Sequence, residues 1–177
     1  MAKSKIEKIQ SGIKKYQYLR QQLFVTDVST NQDFQRMFNG FFRMGRRTQA
    51  YYNDYYCYLQ QHKKTGISFS DALTYLYQKY GRLEMSFVSK MVALVEPTFP
   101  IWDSVVTKGQ FGIIAPNANV INRLQKGIEK YEQYRYCYGT YMQSDEARKK
   151  IVEFDTLFPE TDITDVKKLD FILWQER

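Results

Sequence analysis

Apolar side chains in this chain recur every three or four residues almost from end to end, and that spacing constrains the fold more than any other feature. Ile6, Ile9, Ile13, Tyr16, Leu19 and Leu23 open the pattern. On a helix they share one face, so the spacing predicts an amphipathic helix of about five turns with Arg20 beside its apolar stripe. After a loop at 25–31, Ser29 or Thr30 is placed to cap a second helix carrying Phe34, Met37, Phe38, Phe41 and Phe42 as far as Met44, where Gly45 breaks it. A third helix is expected from Arg46 or Arg47 to Gln61, a fourth from Ser70-Asp71 to a stop at Gly81, and a fifth over about 82–95, ahead of Pro97.

Pro97, Pro100, Gly109, Gly112 and Pro116 make 96–117 the least regular stretch. A short helix is expected inside it at 104–108, with 109–114 read as extended. Helices at 118–142 and 144–157, and a terminal one opened by Thr164-Asp165, complete the reading. No strand has a partner, and no internal period of about 20 to 50 residues marks a repeat array. The chain of 177 residues with 44% apolar content is therefore expected to be all-α, a single globular domain at 1–177 of about seven to nine helices.

No window approaches the run of about eighteen apolar residues that a membrane span needs, so a transmembrane protein is excluded. The start, MAKSKIEKIQ, carries positive charge without an apolar stretch after it, which argues against a secretory signal and for a cytoplasmic protein. Cys57 and Cys137 lie on separate expected helices and read as buried or half-buried free thiols. They and the one histidine, His62 at an expected helix end, lack the spacing of a metal set, so neither metal nor cofactor is expected.

The net charge of +7 has an address. Residues 1–64 hold 12 Lys/Arg against 4 Asp/Glu, residues 65–116 hold 4 of each, and the rest is close to neutral. Most of the basic residues fall in two groups: Lys3, Lys5, Lys8, Lys14, Lys15 and Arg20 on the first helix, then Arg36, Arg43, Arg46 and Arg47 near Gly45. Such a cluster attracts phosphate backbones, anionic lipid heads or an acidic protein, and it also serves simply as a solvated face.

Tyrosine is the compositional oddity, with 15 residues. Tyr51, Tyr55 and Tyr58 form one helical stripe and Tyr131, Tyr134, Tyr138 and Tyr141 another. Rings at this spacing suit helix-to-helix packing with the hydroxyl on a polar partner, and they also suit base stacking. Because it follows Arg46 and Arg47, the first stripe, with Tyr51 and Tyr55, is the candidate nucleic-acid surface.

One short stretch carries chemistry. In Ser86-Phe87-Val88-Ser89-Lys90-Met91-Val92-Ala93-Leu94-Val95, Lys90 stands at the edge of a small-residue arc of Ser86, Ser89 and Ala93. Pro97-Thr98-Phe99-Pro100-Ile101-Trp102 then delivers Asp103 to a helix start at Ser104-Val105-Val106. This arrangement resembles the helix-hairpin-helix DNA glycosylase superfamily over about twenty residues, Ser86 to Val106. The resemblance implies that Asp103 is the acid that stabilises an oxocarbenium-like sugar as the base departs, and that Lys90 is the Schiff-base nucleophile of a bifunctional enzyme.

Two functions are therefore expected. One is a nucleic-acid-binding, glycosylase-like protein acting on damaged bases, with Asp103 and Lys90 catalytic and Arg43, Arg46, Arg47, Tyr51 and Tyr55 on DNA or RNA. The alternative is a non-catalytic all-α module binding nucleic acid or a protein through its basic, Tyr-rich N-terminal third. A third option lays residues 1–24 on a membrane surface.

Overall fold

A computed structural model describes residues 3–176, and its described residues form nine helices and no strand. The first, α1 (Lys3–Val25), buries Ile9, Ile13, Tyr16, Leu19 and Leu23, five of the six predicted stripe residues. Its apolar stripe is part of the core, whereas Phe24 and Val25 at its C-terminal end are exposed. No described helix is long and apolar enough to cross a membrane.

Helix α2 (Gln32–Phe41) is capped by Asn31, whose side chain accepts from the Phe34 amide, and not by Ser29 or Thr30. Three capping-competent residues stand in a row, and Ser29 is bound instead to the Asp27 carboxylate, through both its amide and its hydroxyl. The helix also ends earlier than Met44. Arg43 takes φ 50°, its amide donates to Gly40 O, and the Met44 amide donates to Asn39 O at 2.9 Å. These are the two bonds of a Schellman stop, with arginine where glycine is preferred.

Helix α3 (Gln49–His62) starts after Thr48, whose hydroxyl accepts from the Tyr51 amide, so Arg46 and Arg47 lie in the loop before it. Ser68 caps α4 (Phe69–Tyr80), and Gly81 closes it at φ 63°, the stop expected from sequence. The most apolar element, α5 (Met85–Val95), is buried at Met85, Phe87, Val88, Ser89 and 91–94. It packs between α1 and α4, and Arg20 of α1 donates to Leu94 O and Val95 O at its C-terminal end. A cation there complements the orphaned carbonyls and the helix dipole.

The irregular segment contains α6 (Ser104–Phe111), longer than expected and ended by Gly112 at φ 65°; the residues 109–111 read as extended are its last turn. Helix α7 (Arg123–Met142) begins later than expected, after Asn122. Helices α8 (Asp145–Leu157), capped by Ser144, and α9 (Asp165–Glu176) close the chain, with α9 packed against both α8 and α1. One contiguous core runs through all nine, so the described chain is a single all-α domain.

The candidate active-site cleft

A cleft of about 680 Å³ lies where α1, the end of α2, α5, the start of α6 and α9 meet. Ser4, Glu7, Lys8, Ser11, Gly12 and Lys15 line it from α1, at the three- and four-residue steps that define one helical face. Gly12 allows close approach to α9: a Cβ on it would stand 2.8 Å from Cε1 of Phe171. The aromatic lining is Phe41, Phe42, Phe171 and Trp174, with Phe41 to Trp174 centroids 6.1 Å apart and Phe171 to Trp174 6.0 Å. Phe42 and Phe171 are buried, whereas Phe41 and Trp174 are half-buried and keep part of their rings accessible.

Lys90 and Asp103 line the same cleft, together with Arg43. Lys90 is half-buried, with Nζ 5.2 Å from the Phe87 ring centroid, a cation–π distance. Asp103 caps α6: its Oδ1 accepts from the Val105 amide at 3.0 Å and the Val106 amide at 3.2 Å. The pair separated by thirteen positions in sequence is thus brought to one cavity by the α5–loop–α6 turn. Lys8, Lys15, Arg43 and Lys90 outnumber Glu7 and Asp103, so the cleft is cationic.

The other predicted site residues part company here. Arg43 and Arg46 are exposed. Arg47 is a structural anchor: its Nε and second guanidinium nitrogen bind Glu84 at 2.9 and 3.0 Å, and it stands 4.7 Å above the Phe87 ring. Glu84, only 7% exposed, also pairs with Arg82 at 3.2 Å. Arg47 therefore holds the ring on which Lys90 rests, and its guanidinium is engaged by Glu84. Tyr51 and Tyr55 are 1% and 0% exposed, so their rings cannot stack on a base. Tyr55 donates to Phe87 O at 2.8 Å, and burial pushes both phenols well above their ordinary value near 10.

Cys57 is exposed rather than buried, and Cys137 is half-buried. His62 stacks on Tyr58 with centroids 4.1 Å apart, its Nδ1 2.9 Å from Tyr58 O. Among the described residues, no three His, Cys, Asp or Glu side chains come together as a metal set. Sequence reasoning missed the α9 wall and the α1 face of the cleft. A usable signal was present for the first, since Trp174 is one of only two tryptophans. The chain matches no family model, no curated protein and no solved structure.

Proposed function

We propose that the protein binds nucleic acid across its cationic cleft and releases a base extruded into it. The observation that carries this reading is that Lys90 and Asp103 line one cavity with Arg43 and an aromatic floor. Each part has a task. Arg43, Lys8 and Lys15 meet the phosphates, and the accessible faces of Phe41 and Trp174 receive the base. As the C1′–N bond breaks, its electron pair leaves with the base, and the Asp103 carboxylate stabilises the positive charge left on the sugar. The Lys90 amine, once deprotonated, bonds to C1′, and the proton it then sheds goes to the departed base.

A second reading is favoured by the capping bonds of Asp103, which give its carboxylate a structural role and would make the cleft a non-catalytic nucleic-acid surface. The two readings separate on Asp103→Asn, because asparagine caps a helix about as well as aspartate. Across a panel of damaged duplexes, the unmodified chain should release base and Asp103→Asn should bind with unchanged affinity but release none. No release by the unmodified chain, or equal release by the variant, overturns the enzymatic reading.

A further inference from the structure

The segment between α5 and α6 has no regular hydrogen bonding, so its backbone groups need other partners. Side chains from α7 and from the start of α9 supply them almost one by one. The Thr164 hydroxyl donates to Pro97 O at 2.8 Å, Lys167 Nζ to Phe99 O at 2.8 Å, Tyr131 OH to Pro100 O at 2.9 Å and Tyr134 OH to Ile101 O at 3.2 Å. The Trp102 amide donates to Ser89 Oγ at 2.9 Å. The next residue is Asp103.

Lys167 is the unusual member. It is 2% exposed, pairs with Asp170 at 4%, and Asp170 in turn accepts from Tyr138 OH at 3.1 Å. Burial draws the lysine pKa down and the aspartate pKa up, while each charge holds the other in its ionised form. A buried ion pair is a weak source of stability compared with apolar residues of the same volume, so its use here points to geometry. An ammonium with three donors fixes a carbonyl and a carboxylate at once, which no apolar side chain does.

We propose that Lys167, with Tyr131, Tyr134 and Asp170, forms a rack whose role is to position Asp103 at the cleft. Lys167 is a positioning residue, acting through the backbone of 97–102. The inference rests on the cleft being the nucleic-acid site, but the rack can be read without substrate.

The test is residue-resolved amide hydrogen exchange on the full chain, with Lys167→Met as the main variant. The Val105 and Val106 amides report directly on Asp103, because both donate to its carboxylate. They and the Trp102 amide should exchange at least about ten-fold faster in Lys167→Met, with α3 and α4 amides keeping their protection. Unchanged exchange at 105 and 106, or an equal acceleration in every helix, overturns the proposal. Should Lys167→Met fail to fold, Tyr134→Phe removes a single hydroxyl and must show the same local pattern. In base release, Lys167→Met should lower kcat about ten-fold with duplex Kd unchanged, and an equal loss of binding also overturns the positioning role. An unmodified chain that releases no base defeats the enzymatic reading and leaves the exchange result to decide the rack.

Discussion

Raising the pH tests whether tyrosine belongs to the interior. Tyr16, Tyr51, Tyr55, Tyr56, Tyr131, Tyr134 and Tyr138 are all 3% exposed or less. Burial raises the pKa of each of these seven, so they stay protonated in the folded chain and ionise near 10 once it unfolds. A group whose folded pKa is raised contributes full stability below its unfolded pKa and loses that contribution as pH climbs toward the folded one. Above pH 10 each such tyrosine costs about 1.4 kcal/mol per pH unit, so seven together cost about 6 kcal/mol at pH 10.5 and about 10 kcal/mol at pH 11. Set against a domain stability of about 5–15 kcal/mol, this places cooperative alkaline unfolding between roughly pH 10.4 and 11.5. Absorbance at 295 nm and far-ultraviolet circular dichroism, followed on one titration, should show no more than eight of the 15 tyrosines ionising before helix is lost. The others should appear in one step with the loss of ellipticity. Ionisation of all 15 with helicity intact would refute the burial of the two stripes.

Three substitutions near the cleft separate structural from binding arginines. Arg43→Gly relieves the left-handed strain at the Schellman stop and should raise stability by about 0.5–1 kcal/mol, or about 1–4 °C in Tm, while weakening nucleic-acid binding. A fall in Tm on calorimetry would contradict the stop as described. Glu84→Gln leaves the Arg47 guanidinium, 19% exposed, without its carboxylate and should cost about 2–3 kcal/mol in urea unfolding, less than a fully buried pair because Arg47 retains some solvent. Exposed Arg46 behaves differently: Arg46→Ala should leave the urea midpoint in place and reduce the salt slope of binding by about one.

Local rules carried most of the fold. The α1 stripe, the stop at Gly81 and the Ser144 cap are set by neighbours within one helical turn, so they are legible in sequence. Errors gathered where several local solutions competed. Ser29, Thr30 and Asn31 are all competent caps, and a glycine at 45 looked like the stop that Arg43 provides. Tyrosine spacing identified two faces without revealing what they face. The partner of Tyr134 is the carbonyl of Ile101, 33 positions away, and nothing local encodes it. Lys167 and Asp170, at i and i+3, have the spacing of an exposed surface pair. Only the neighbours Val166, Leu169 and Phe171, all buried, hinted that they point inward. Lys90 and Asp103 stand in a single short segment and could be singled out together, while the other walls of the cleft they line come from α1, the end of α2 and α9.

Borohydride trapping tests the role of the cleft most directly. An amine that reaches C1′ of an abasic site forms an imine, which borohydride reduces to a stable covalent link. Incubation of the full chain with duplex carrying an abasic site, followed by reduction and peptide mapping, should place the link on Lys90 and lose it in Lys90→Ala. Trapping that persists unchanged in Lys90→Ala, or that maps to lysines outside the cleft, would contradict the account.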